Sequence, residues 1–514
     1  MPSSPFFLQN FCNGQCSSLP PLQRSVWHSK ICNRRQSERI LLTVLGKMAS
    51  VRGVFSPANV RPNTLTRRLA AMNYAKIVGL FLGAYLLNMA APQILEHLAH
   101  LPGAEAAIAQ TLWCISLFLV FGWACSKLAE GTVFPNFTLQ LLVGIILHDA
   151  LAPIAPQIMI PVVVCTALAA IILKGGGDEV ERLDFVKIAY PLIMLAVIGY
   201  LITFFVMFPL MLMLGLDGKT AALLAAIIGS TDPAALIPTL KRVVFKDSYK
   251  RLAGMSIAES AVNDAVGAIF VGAVAVMILA GTSVDTTASL TAGLASADNM
   301  MNLGSQFLFG TIAGVIGWVG MYSYEKYRST HHLSSGASEA AYDFGIVLAV
   351  PLVTFVLAQS IHGNGFLAAF IAGLLANYNH NNEAFQNTLH TMEIKIESIS
   401  KPIIFMMVGP FVSLGDLADT AVMGFLISVL FMLVARPVAV MVSLLPTNFD
   451  MKEKLFLTVV RETGVIPVSL AVITVAQFPE LTLLMPLTAW VVIWTLTILP
   501  AITPWWAAKL KIVE

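Results

Sequence analysis

Two acidic clusters lie inside otherwise apolar sequence: Gly229-Ser230-Thr231-Asp232-Pro233 and Glu259-Ser260-Ala261-Val262-Asn263-Asp264. Each sits in a stretch long enough to cross a bilayer. An ionised carboxylate at that depth costs about 3 kcal/mol on insertion scales, so it needs a partner or a task. On a helix, Ser260 and Asp264 are four residues apart and share a face, as do Glu259 and Asn263. The first face offers a carboxylate and a hydroxyl, a set suited to a dehydrated monovalent cation. Thr231 and Asp232, beside a proline, add a second carboxylate, a hydroxyl and freed carbonyls. These hard oxygens suit Na⁺ or Li⁺ better than a soft metal, so the expected Na⁺ ligands are Asp264, Asp232 and Ser260, with no resident cofactor. A carboxylate that can hold either a proton or a cation, coupled to alternating access, is sufficient for antiport. Asn263, neutral beside Asp264, leaves one carboxylate to cycle its charge, which implies one cation for one proton.

The second face reads as a brace. Arg436, in Ala435-Arg436-Pro437, is a lone guanidinium within an apolar stretch and needs an anion, for which Glu259 is the natural partner. Direct ion ligation by Glu259 stays open as its second role. Arg461 and Glu462 are adjacent and are expected to compensate the helix dipoles of the second crossover, in which they lie, rather than bind the ion.

These residues must be carried by a polytopic helical membrane protein. The 514 residues are 57% hydrophobic and only 12% charged, about half the charged share of a soluble domain. Apolar stretches without strand-like alternation favour helices over a β-barrel. They run over 74–95, 105–129, 134–151, 156–174, 186–215, 219–241, 252–281, 303–324, 342–361, 364–380, 399–414, 420–445, 454–477 and 482–508. That gives about 13–14 spans at roughly 20 residues each. Residues 1–70 differ: they hold ten Lys or Arg and one acid, Glu38, and read as a basic, disordered tail. A transit peptide or an upstream over-extension, with Met48 as the alternative start, are the other readings of this segment. Residues 71–514 read as the transmembrane domain. Six cysteines show no disulfide pattern.

Loop charge sets an orientation. If the basic tail is cytoplasmic, alternate loops should hold the Lys and Arg. They include Lys174 with Arg182 and Lys187, the cluster from Lys241 to Arg251, Lys326 with Arg328, Lys395, Lys452 with Lys454, and Lys509 with Lys511. The opposite loops, such as 282–302 and 415–420, carry none, and only Lys219 sits awkwardly. The chain therefore reads N-in and C-in.

Two spans are interrupted in matching places. Gly229 and Pro233 break the sixth, and Gly464 and Pro467 break the thirteenth, within Arg461-Glu462-Thr463-Gly464-Val465-Ile466-Pro467. Proline removes a backbone hydrogen bond and leaves half-helix ends. Paired interruptions of this kind mark the substrate site of inverted-repeat transporters. With repeats over about 105–281 and 342–508, each break falls on its repeat's fifth helix.

At these residues the chain resembles the cation:proton antiporter-1 family, the NhaP-type and animal-type sodium/proton exchangers. The matching motifs are Thr231-Asp232-Pro233, Glu259-Ser260-x-x-Asn263-Asp264, the Arg436 motif and Gly363-x-Gly365-Phe366-Leu367-Ala368 running on to Gly373. They cover roughly residues 105–510. The resemblance implies an inverted-repeat antiporter fold with two discontinuous crossing helices, a core domain moving against a dimerising domain, and a homodimer. It implies that Asp264 carries cation and proton, that Thr231, Asp232, Glu259 and Ser260 surround the ion, and that Asn263 and Arg436 brace the core. The chain departs from the pattern in having one span more than the usual thirteen. Lys174-Gly175-Gly176-Gly177 matches the family only loosely, and Arg461-Glu462-Thr463-Gly464 differs from the glycine- and arginine-rich form common in sodium exchangers, which leaves ion choice open. The short segment after residue 508 fits a bacterial plasma-membrane protein.

The reading is then an electroneutral Na⁺(Li⁺)/H⁺ antiporter serving sodium transport and pH homeostasis. Its partners are a monovalent cation, a proton and membrane lipid, with no nucleic acid. A K⁺/H⁺ antiporter on the same fold is the alternative, and an organic-anion transporter is the more distant one. An enzyme is not expected, because Ser260 lacks an in-span histidine or lysine placed as a base.

Overall fold

The computed structural model describes residues 64–129, 135–180, 182–231, 233–330, 337–376 and 383–514. Most of the basic tail falls outside these residues, although a first helix, α1 (Thr64–Ala99), begins within its last few positions. The regular structure among the described residues is all-helical, and its apolar helices make it a multi-span membrane protein. Eight helices are long and apolar enough to cross a bilayer among the described residues, or nine if Asn136–Ile146 and His148–Ile154, bent by 78°, count as one span.

In order, α2 is Ala104–Ala129, α3 the bent pair just named, α4 Met159–Asp178, and α5 runs over 182–213. The sixth span is two half-helices, α6a (Gly218–Ile228) and α6b (Pro233–Leu240), followed by the long α7 (Arg251–Leu279). After α8 (Ala297–Thr330) come α9 (Ala337–Ser360), α10 (Gly365–Ala376), α11 (Glu383–Met406) and α12 over 421–443. The thirteenth span again divides, into α13a (Met451–Leu457) and α13b (Val465–Gln477), before α14 (Leu484–Lys509).

The repeats match in more than their breaks. α5 contains a π-helical turn at Met194–Ile198, and its counterpart α12 contains one at Phe431–Ala435. Such turns carry one extra residue and cluster at functional sites. Here each re-aims the helix that follows it, bringing Tyr200 and Arg436 toward the two interrupted spans.

The stretch 399–414 does not form a helix with those bounds. The helix there is α11, which begins sixteen residues earlier and ends at Met406, with a 3₁₀ turn at Gly409–Phe411. Hydropathy sees only its apolar end, because its middle turns carry Glu393, Lys395, Glu397 and Lys401. Much of that charge is compensated internally. Glu393 pairs with the fully buried Lys174 of α4, which also holds Asp178, and Lys401 pairs with Glu397. Lys174 is therefore a buried structural cation and Lys395 a mid-helix residue, and neither is a loop charge. The orientation pattern rests on the remaining basic loops.

α4 packs backbone to backbone on α10. A Cβ on Gly177 would lie 2.5 Å from Phe370 O and 2.6 Å from Leu374 N, and one on Gly373 would collide with Lys174 O. Small residues at helix contacts are how spans associate in lipid, where apolar burial gives no drive. The Lys-Gly-Gly-Gly run of α4 is thus a contact surface that fixes Lys174 in place. Replacing Gly373 with valine should lower the thermal midpoint in detergent by an amount equivalent to about 1–3 kcal/mol. Gly320→Ala, where an added Cβ meets nothing within 4 Å, should leave the midpoint unchanged in the same assay.

Candidate cation and proton site

The broken spans form where their sequences predict. Pro233 opens α6b at its first helical position, where its missing N–H would be unpaired anyway. Gly464 precedes α13b with φ −133° and ψ −132°, outside the helical region, and Pro467 lies in the first turn. Between the halves, residues 229–231 and 458–464 leave the helix near each other, as the contact of Arg461 with Gly229 shows.

Two buried guanidiniums meet the loose ends. Arg436 Nε donates to Leu457 O (3.0 Å) and its Nη2 to Val460 O (3.4 Å), at the C-terminal end of α13a. Arg461 Nη2 donates to Gly229 O, at the C-terminal end of α6a, and its guanidinium lies 5.3 Å from the centre of the Phe431 ring. A cation at a helix C-terminus offsets the partial negative charge of its unpaired carbonyls. Arg461 compensates the first crossover rather than the second, in which it lies. Glu462 is fully buried next to it, and Thr463 N donates to Thr495 Oγ1 (3.3 Å), tying the break to α14.

Glu259 answers Arg436 with a two-pronged ion pair, Nη1 to Oε1 at 2.9 Å and Nη2 to Oε2 at 3.0 Å, both residues 1% exposed. Asn263 Nδ2 donates to Glu259 Oε1 at 3.4 Å. The Glu259/Asn263 face of α7 thus turns to α12 and α13a.

The other face carries Asp264, 3% exposed, with Ser260 one turn earlier at 2%. Asp264 Oδ1 accepts from Ser230 Oγ and from Thr231 N (3.1 Å), so the carboxylate sits at the unwound break just before α6b, where N–H groups point outward. Three hydroxyl or amide oxygens near the breaks, Thr231 Oγ1, Asn263 Oδ1 and Thr463 Oγ1, are buried without a hydrogen bond among the described residues. Buried oxygens normally find donors, so such acceptors fit a cation that supplies the missing positive charge. Asp232 lies outside the described residues. No three His, Cys, Asp or Glu side chains gather as a metal-ligand cluster among the described residues.

Two further neighbours, Ser230 and Tyr200, join the site. Ser230 sits inside the Gly-Ser-Thr-Asp-Pro motif but is singled out only by its bond to Asp264. Tyr200 donates its hydroxyl to Ala226 O (2.7 Å) and lays its ring where a Cβ on Gly229 would come within 2.6 Å. Gly267, one turn beyond Asn263, leaves room for Ser230, whose Cβ would be 3.0 Å from an added methyl. Ser230 could have been found from its place beside the break; nothing local in sequence marks Tyr200.

An all-helical inverted repeat with two interrupted spans crossing beside a buried carboxylate defines a secondary-transporter architecture. The family model described as sodium/hydrogen exchanger, transmembrane, matches residues 115–509. The chain belongs to that family. It is 29% identical over 307 residues to the K(+)/H(+) antiporter NhaP2 of Shewanella baltica (strain OS223), covering 59% of this chain and 49% of that protein. The chain thus spans about half the length of the curated NhaP2 relatives it matches. It is 26% identical over 372 residues to Na(+)/H(+) antiporter 1 of Methanocaldococcus jannaschii, covering 70% of this chain and 82% of that one. The solved structure of the sodium proton antiporter MjNhaP1 from Methanocaldococcus jannaschii at pH 8 shares the fold, with a TM-score of 0.62 at 20% identity, over 76% of this chain and 97% of that chain.

The Glu259–Arg436 pair yields a stability test. Arg436→Ala strands a buried carboxylate and should destabilise the protein by about 3–5 kcal/mol, whereas Glu259→Gln with Arg436→Met should recover much of that loss. Thermal unfolding of the two variants in detergent reads the difference, and equal losses would contradict a pairing that matters for stability.

Proposed function

We propose that this chain exchanges Na⁺ or Li⁺ for H⁺ across a membrane, one for one, by competition of cation and proton for Asp264. The observation that carries this is the placement of Asp264. It is buried at the break of α6, held by Ser230 and the Thr231 N–H, beside buried oxygens that lack donors. Thr231, Ser260 and Asp232 complete the cation's surroundings. Glu259, Asn263, Arg436, Arg461 and Glu462 hold the core. The protein acts as a transporter and catalyses no bond chemistry.

The exchange works because charge is conserved at one group. With a proton on Asp264 the site is neutral, and with the cation on the carboxylate it is neutral again. The core can reorient in either state but not with the carboxylate bare, since a lone buried charge costs several kcal/mol to carry through a low-dielectric barrier. That cost couples the two fluxes. The basic loops support an N-in, C-in orientation in a bacterial plasma membrane, and the resemblance supports a homodimer.

A K⁺/H⁺ antiporter is the second reading, favoured by the printed names of the NhaP2 relatives. Proteoliposomes separate the two. ΔpH dissipation on adding Na⁺ or Li⁺, unchanged when valinomycin clamps the potential, supports electroneutral sodium exchange, whereas a response to K⁺ alone moves the function to potassium. Asp264→Asn should abolish proton-coupled exchange with any cation while leaving a folded protein by size-exclusion chromatography. Wild-type turnover in that variant would sink the assignment.

A further inference from the structure

Beyond Asp264, the face of α7 that carries it continues as a wall. Asp264, Ala268, Val271 and Ala275 lie at helical spacings of four, three and four residues, on one stripe. Ala268, Val271 and Ala275 line a cavity of about 360 Å³ between α7 and α13b on one side and α8, α9 and α10 on the other. The cavity begins one turn from Asp264, about 6 Å along the axis, and reaches Val276, about 18 Å away. Its lining comes from the ends of these helices on the side of loop 282–302, which holds no Lys or Arg.

The lining holds no Asp, Glu, Lys or Arg; besides one histidine, His362, its polar side chains include five carboxamides. Three of these form a chain. Gln306 Nε2 donates to Asn302 Oδ1 (3.2 Å), and Asn364 Nδ2 donates to Gln306 Oε1 (3.4 Å). Asn364 is itself fixed, because its N–H donates to Gln306 O (3.0 Å) and its Oδ1 accepts from Leu367 N (3.0 Å). Gln306 Oε1 faces α7, where a Cβ on Gly272 would lie 3.7 Å from it. An amide oxygen thus stands opposite the stripe that leads to Asp264, locked by its neighbours. Across the cavity, Gln477 supplies another carboxamide from the last residue of α13b.

We propose that this cavity is the non-cytoplasmic approach to Asp264, and that Gln306, positioned by Asn302 and Asn364, is an outer subsite for a partly hydrated monovalent cation. Oriented amide dipoles replace some of the water around the ion. With no carboxylate present they do so without holding it as strongly as Asp264 does, so the ion moves on. This deepens the antiport reading and rests on it for the identity of the traffic. The access path can be read without any transport.

Val271→Cys in a cysteine-free background tests the path. In oriented membrane vesicles a membrane-impermeant thiol reagent should label it from the face opposite the basic loops and not from the other face. No labelling, or labelling only from the basic-loop face, overturns the path. Gln306→Leu tests the subsite: the KM for Na⁺ or K⁺ presented at the labelled face should rise at least fivefold, with the KM at the opposite face and kcat little changed. Gln306→Asn should recover part of the effect. A KM unchanged at the labelled face, or altered equally at both faces, overturns the subsite. If Gln306→Leu does not fold, Gln306→Asn alone decides, by a KM increase confined to the labelled face or its absence. Failure of either test leaves Asp264-dependent exchange standing, whereas wild-type exchange in Asp264→Asn removes that reading without touching the labelling result.

Discussion

The whole core depends on one electrostatic constraint. Breaking a membrane helix leaves carbonyls without partners at the end of one half and N–H groups at the start of the next, in a medium with no water to solvate them. Two spans break here, so two C-terminal ends need positive charge. Arg461 reaches Gly229 O at the end of α6a, and Arg436 reaches Leu457 O and Val460 O at the end of α13a. Each arginine lies outside the half-helix it serves. The breaks are therefore not independent kinks: each is stabilised by residues from elsewhere in the core, and the crossing exists only as a unit.

A buried arginine solves one problem and creates another, since an unpaired guanidinium is as costly as an unpaired carbonyl. Glu259 answers Arg436 through both carboxylate oxygens, which makes that pair electrically closed. Asp264 is one turn further along α7 and on a different face. Its Oδ1 accepts from the Ser230 hydroxyl and the Thr231 peptide N–H. The helix thus carries two acids with different fates. One is neutralised permanently by an arginine of the same core. The other accepts from a hydroxyl and a peptide N–H at the break of α6. Geometry along a single helix separates the acid paired with arginine from the acid at the break.

Much of this was legible in sequence, for physical reasons that also explain what was not. The i, i+4 spacing within Glu259-Ser260-Ala261-Val262-Asn263-Asp264 fixes two faces on any helix, and an intramembrane arginine calls for an acid. Proline and glycine announce the breaks. Span positions followed hydropathy wherever helices are uniformly apolar. Hydropathy misplaced α11, because Glu393 and Glu397 read as loop when their charges are met inside the protein by Lys174 and Lys401. Pairing of charge is a tertiary fact, invisible to a sliding window. Tyr200 was missed for the same reason: its role comes from a π turn in α5 and the space at Gly229, and neither has a local signature.

Ion choice is the remaining question, and the structure says why relatives named for Na⁺ and for K⁺ can share one fold. The two ions carry the same charge and use the same hard oxygens. A tenfold preference needs only about 1.4 kcal/mol. A displacement of a fraction of an ångström at a few oxygens can supply that, and nothing in the ligand types need change. The residues able to move those oxygens are the ones that set the breaks: Tyr200 against Gly229, Ser230 against Gly267, and Thr463 tied to Thr495. Selectivity on this scaffold is then a property of packing around the crossing rather than of the carboxylate itself. The departure at Arg461-Glu462-Thr463-Gly464 falls in this same packing and leaves the fold intact.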